Sequence, residues 1–220
     1  VILAVTGGKG GVGKSTVALN LAAELDAVLV DGDLAMADLP VGSGPDLHDV
    51  LAGRAAPFEA VQRLGEVLVL PCGRSLAGAR AADPRALGGV LGDLAATHGD
   101  VVVDCAAGLK ADVGVPLAAA DACVLVTLPG VPAVADGVRA RELAVRFGAG
   151  VAAVALNRSD GVALEPVERA LGGRAVALPE SRALAAAVRD GRPARTVEAG
   201  TAAVEAVREL GRVVQSCKSA

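Results

Sequence analysis

Short apolar runs recur along the chain, with stretches of helical spacing between most of them. Val1 to Val5 (VILAV) is the first run, and Val17 to Leu25 (VALNLAAEL) carries apolar residues at helical spacing behind it. Further strands are read at Ala27 to Asp33 (AVLVDGD), Glu66 to Gly73, Asp100 to Gly108, Asp121 to Pro129, Ala149 to Arg158 and Arg174 to Pro179. Helical stretches fall at Asp83 to Thr97, Val134 to Phe147, Leu164 to Leu171, Ser181 to Asp190 and Val197 to Val214. Strands that are apolar throughout, rather than alternating, are buried on both faces. The pattern predicts an α/β fold: a mostly parallel, twisted sheet of about seven or eight strands with helices on both faces, in one domain over residues 1–220. Ala35 to Ala56 is the longest irregular stretch and predicts a mobile segment beside the site.

In such sheets ligands gather at the carboxyl ends of the strands, where Asp31, Asp33, Asp104 and Asn157 all stand. Between the first strand and the first helix lies TGGKGGVGKST, and Gly8 to Ser15 fits the phosphate-loop spacing G-x-x-x-x-G-K-[ST] in register. The glycines Gly8, Gly10, Gly11 and Gly13 keep side chains away and allow positive φ, so backbone N–H groups from Gly8 through Val12 to Thr16 can face an anion. The positive end of the helix dipole lies under the same place. Lys14 is placed to reach the β- and γ-phosphates, and the Ser15 hydroxyl to ligate Mg²⁺. Lys9, five residues earlier, has no role in that motif.

KGGVGKST resembles the deviant Walker A loop of the MinD/ParA family of P-loop ATPases. The resemblance implies that Lys9 crosses a dimer interface to the partner's nucleotide, so that the active form is an ATP-bound homodimer. It covers the chain from Val1 to about Arg195. DCAAG, starting at Asp104, looks like the family's Walker B and switch II, which implies a carboxylate holding a water of Mg²⁺ and a Gly108 N–H turned toward a γ-phosphate. The family often has proline where Ala106 or Ala107 stands, which leaves the stiffness of this switch open. DGDLAMADL resembles switch I: it implies that Asp31 lies near hydrated Mg²⁺ and that Asp33 polarises the attacking water, while Asp38 is left unassigned. The implied activity is slow, Mg²⁺-dependent and partner-stimulated ATP hydrolysis, used as a switch in spatial positioning.

Asn157-Arg158 looks like the family's adenine-contacting pair, and LPES, with Pro179 and Glu180, like the loop that closes over the base. NRSD (Asn157 to Asp160) also approximates the guanine motif of related signal-recognition-type GTPases, so a GTPase stays open as an alternative. A non-catalytic, nucleotide-dependent scaffold is the other. HDVLAG (His48 to Gly53) matches a short helix after switch I; His48 is read there as a capping or packing residue, and His98 as a solvated helix end.

Hydrophobic residues make up 53% of the chain and aromatics 1%, so the core must be built from Ala, Val and Leu. No apolar run is long enough to span a membrane, and the opening run lacks a basic lead, so a cytoplasmic protein is expected. Cys72, Cys105, Cys123 and Cys217 form no C-x-x-C pair. Nitrogenase iron protein, a relative in this family, shares an Fe–S cluster across its dimer, but Cys105 and Cys123 read as buried small hydrophobes. The net charge of −4 argues against binding DNA through the whole surface, and Arg182, Arg189, Arg192 and Arg195 read as a solvated face. GRVVQSCKSA carries no basic, apolar stripe, so no strong direct membrane anchor is expected and recruitment would fall to an unidentified protein regulator or cargo adaptor.

Overall fold

The structure is a computed structural model that describes residues 1–34, 39, 42–108, 111–160, 163–196 and 200–218. Its strands are β1 (Ile2–Thr6), β2 (Val28–Gly32), β3 (Gln62–Leu64), β4 (Val67–Leu70), β5 (Val101–Cys105), β6 (Ala122–Thr127), β7 (Gly150–Asn157) and β8 (Ala175–Leu178). They form one sheet in the order β3-β4-β2-β5-β1-β6-β7-β8. Every pairing is parallel except the antiparallel β3 and β4 at one edge. Alternate residues feed two cores. Leu3, Val5 and Val102 face one, Ala4, Val101 and Val103 the other, which is why these strands are apolar at every position.

The first core is closed by α1 (Lys14–Leu25) and α10 (Ala202–Lys218). The second is closed by α5 (Leu87–His98), α6 (Ala111–Ala119), α7 (Val131–Arg146) and α8 (Glu165–Leu171). Ala18, Ala22 and Ala23 let α1 approach the sheet closely, as a core short of aromatics requires. Of the short helices α2 (Leu47–Leu51), α3 (Pro57–Ala60) and α4 (Leu76–Ala81), the last two pack around α2 and the first two lie beside α5, and α9 (Arg182–Arg189) follows β8.

The expected helices are present with shifted ends. The first begins at Lys14 because Gly13 is its N-cap, and the Asp83 stretch opens as a 3₁₀ turn before α5 begins at Leu87. The irregular segment contains α2, the short helix anticipated at His48, held by a reciprocal Asp46–Asp49 capping box. His98 ends α5, but its Nε2 is shielded from solvent rather than hydrated. Asp38, Leu109, Lys110 and the Val197 start of the expected last helix lie outside the described residues. Among the described residues no helix is long and apolar enough to cross a membrane.

Candidate functional site

Register brings the strand-end carboxylates together. Asp31 on β2 pairs across to Asp104 on β5, and Asp104 pairs with Val5 on β1, one residue before the strand ends and the glycine loop begins. Asp31 and Asp104 are buried, and Asp33, two residues on, is half-buried with its N–H donating to Asp31 Oδ1 at 3.4 Å.

The loop takes the shape its glycines allow. Gly13 has φ 98°, and a Cβ there would strike the Asn157 amide. A Cβ on Gly8 would collide with the Asp136 backbone in the second turn of α7. With a glycine N-cap and no side-chain cap, the first N–H groups of α1 stay available. They open on a cavity of about 370 Å³ lined by Gly10, Gly11, Gly13, Lys14, Ser15, Thr16, Asp33, Asp104, Cys105, Ala107 and Arg158. Lys14 is buried at its floor. Cationic lysine, backbone donors and hard oxygens from Ser15, Asp33 and Asp104 suit a magnesium-bound polyphosphate. Gly108, with φ 91°, follows in the segment after β5.

Lys9 does not line that cavity. It is exposed and borders a second one, of about 420 Å³, with Gly8, Pro129, Pro132 and Asp136. A third, of about 130 Å³, is formed by Gly13, Thr16, Asn157, Arg158, Pro179, Glu180, Ser181 and the start of α9. Asp160 is exposed and is not among the residues lining it.

Asn157 does more than face this third cavity. Its Nδ2 donates to the Val12 carbonyl at 2.8 Å and its Oδ1 accepts from the Arg158 N–H at 3.0 Å. Arg158 adopts φ 55°, and its guanidinium donates to the Gly11 carbonyl at 3.3 Å. Two residues at the end of β7 thus hold the loop's backbone from above. Residue spacing does not reveal these ties, nor the one made by Asn20, which spans from the Thr16 carbonyl at 2.7 Å to the Ala194 N–H near α9. Apart from Asn20 and Thr16, the partners lie far apart in the chain.

Cys72, Cys105 and Cys123 are buried. Burial, reinforced by Asp31, pushes the Cys72 thiol up to about 12, and burial alone does the same for Cys123. Cys105 is raised further by burial and by neighbouring Asp104, against the opposing charge of Lys14.

The family described as "CobQ/CobB/MinD/ParA nucleotide binding domain" matches residues 3–194. An uncharacterized ATP-binding protein of Methanocaldococcus jannaschii is 34% identical over 169 residues, 72% of this chain and 64% of its own length. The chain thus spans less than two thirds of that relative. The cell division ATPase MinD of Pyrococcus furiosus superposes with a TM-score of 0.90 at 30% identity, covering 98% of each chain. The septum site-determining protein MinD of Pyrococcus horikoshii, solved with Mg-ADP, has the same TM-score at 27% identity, covering 99% of this chain and 96% of its own. The glycine loop, the paired strand-end aspartates and these matches together place the chain in the CobQ/CobB/MinD/ParA family of nucleotide-binding proteins, on its MinD-like side.

Proposed function

We propose that the chain is an Mg²⁺-dependent ATPase that forms a homodimer on binding ATP, separates on hydrolysis, and uses that cycle to position a cellular structure. One observation carries the reading: Lys14 is buried against the phosphate cavity, whereas Lys9, on the same loop, is exposed and lines the neighbouring cavity instead. A lysine held outside its own nucleotide site is well placed to enter a partner's. In this reading Lys14 and the N–H groups from Gly8 to Thr16 bind the polyphosphate. Ser15, with Asp31 and Asp104, holds Mg²⁺ directly or through its waters, and the ion neutralises charge on the phosphates. Asp33 orients the attacking water. Asn157, Arg158, Pro179 and Glu180 border the base.

The Mg-ADP bound to the Pyrococcus horikoshii relative supports ATP over GTP, as does the place of Asp160 outside the base cavity. ATP with Mg²⁺ should therefore raise the thermal midpoint more than GTP with Mg²⁺, and the reverse order would favour a GTPase. A protein regulator or cargo adaptor fits the α6 and α7 side, beside switch II. On α7 itself Val131 is 84% exposed, and the flank of that helix toward α8 carries an apolar groove of about 510 Å³.

The deciding experiment is light scattering with a non-hydrolysable ATP analogue. Lys14→Ala should abolish tight nucleotide binding. Lys9→Ala should keep nucleotide binding and lose the ATP-dependent dimer. A Lys9→Ala protein that dimerises normally would refute the cross-interface role.

A further inference from the structure

Next to Asp33, the chain is tied to a part of the fold that the nucleotide reading does not use. The carbonyl of Leu34 lies 3.0 Å from Nε2 of His48, a residue that is only 2% exposed. A carbonyl can only accept, so Nε2 is the protonated nitrogen. The same nitrogen touches Cys72 Sγ at 3.6 Å. Nδ1 is buried with no hydrogen-bond partner among the described residues. The ring sits in a slot between two glycines. A Cβ on Gly73 would overlap Nδ1, and one on Gly78 would lie 3.2 Å from it.

The helix that carries His48 is itself fixed. Leu47 N–H donates to the Pro71 carbonyl just beyond β4 at 2.9 Å, and the Asp46–Asp49 capping box closes the first turn. α2 is thereby tied to the end of β4, and the imidazole is confined by the slot between Gly73 and Gly78. A packing residue would not need a buried nitrogen; an apolar side chain would fill the slot without leaving Nδ1 unmet. What the imidazole adds is a donor that holds the backbone immediately after Asp33.

We infer that His48 is a positioning residue for hydrolysis, clamping the Leu34 carbonyl so that the Asp33 carboxylate stays at the rim of the phosphate cavity. This rests on the proposed role of Asp33. His48 touches neither nucleotide nor water. Its contribution is to fix the group that does, on a segment where a small displacement costs rate.

The test compares His48→Met, of similar bulk without a donor, with His48→Gln, whose Nε2 amide can donate from nearly the same point. Steady-state ATP hydrolysis is measured for each in the native chain and in Asp33→Ala. His48→Met should lower kcat about five- to tenfold, the worth of one hydrogen bond, with KM within about twofold, and His48→Gln should recover most of the loss. In Asp33→Ala, the Met substitution should add almost nothing. Equal loss in Met and Gln variants, or a full further loss on Asp33→Ala, would overturn the inference in favour of packing. Normal turnover in His48→Met while Asp33→Ala is slow would sink this inference alone, and normal turnover in Asp33→Ala would sink both. Should His48→Met fail to fold, ¹⁵N-histidine NMR of the unaltered protein decides. The chain has only two histidines. Protonation of His48 at Nε2 supports the clamp, and protonation at Nδ1 alone excludes it.

Discussion

Replacing Asn157 with alanine should damage the phosphate loop as well as the base site. The side chain donates to the Val12 carbonyl at 2.8 Å, and Val12 is only 4% exposed, so truncation removes a hydrogen bond and leaves its acceptor poorly hydrated. The loss of a neutral bond is worth about 1 kcal/mol, and an unmet buried acceptor up to about 3 kcal/mol. If the loop relaxes and must be re-formed on binding, the Kd for the polyphosphate rises about fivefold to about a hundredfold. Isothermal titration with Mg²⁺ and either ATP, ADP or tripolyphosphate separates the two roles. Tripolyphosphate has no base, so its weakening reads the loop tie alone, and any larger loss for ATP reads the base contact. Asn157→Asp should be worse than alanine, because a carboxylate then faces a carbonyl and sits near the phosphates. Tripolyphosphate affinity unchanged in Asn157→Ala, with ATP affinity reduced, would refute the loop-tie argument and leave Asn157 a base contact only.

Two further substitutions bear on the same site. Asp33→Ala should cut hydrolysis by roughly 10², the usual weight of a positioned base, while the ATP-bound dimer persists; loss of the dimer in light scattering would instead make Asp33 a structural or metal residue. Gly13→Ala should lower the thermal midpoint and abolish ATP binding, since φ 98° costs an L-residue about 1–2 kcal/mol and the new methyl group meets the Asn157 amide. A Gly13→Ala protein that binds ATP normally in titration calorimetry would show that the loop is not held in this shape.

Most of the sheet was legible because strands buried on both faces are apolar at every position, and runs such as Val101–Val103 admit no other reading in this setting. β3 was not. It is three residues, Gln62 to Leu64, with only Leu64 buried, and its pairing with β4 across Gly65 depends on an edge that the sequence pattern cannot locate. α6 was hidden by Gly114 and Pro116, which read locally as breakers. Here Gly114 accommodates the ring of Phe147 from the end of α7, so a packing demand outweighs helix propensity. α3 and α4, of four and six residues, are too short to display a helical period at all.

The candidate site divides along the same line. Its anion-binding half is one contiguous loop whose spacing follows from backbone geometry, so the sequence displays it directly. Its supports are long-range: Asn157 to Val12 spans 145 positions, Arg158 to Gly11 spans 147, and Asp136 meets Gly8 through its backbone, which leaves no trace in side-chain identity. This bears on why Lys9 and Lys14 share one loop yet face different cavities. The segment from Gly11 to Gly13 is held by Asn157 and Arg158, which fixes the floor where Lys14 is buried. Gly8, backed against α7, fixes the other flank, and Lys9 stands between these two anchors with its side chain exposed. Weakening the Asn157 and Arg158 ties should therefore disturb Lys14's own site first, whereas a change at the Gly8–Asp136 contact should be felt first at Lys9. Nucleotide affinity and dimerisation would then be separable by mutation even though one glycine loop serves both.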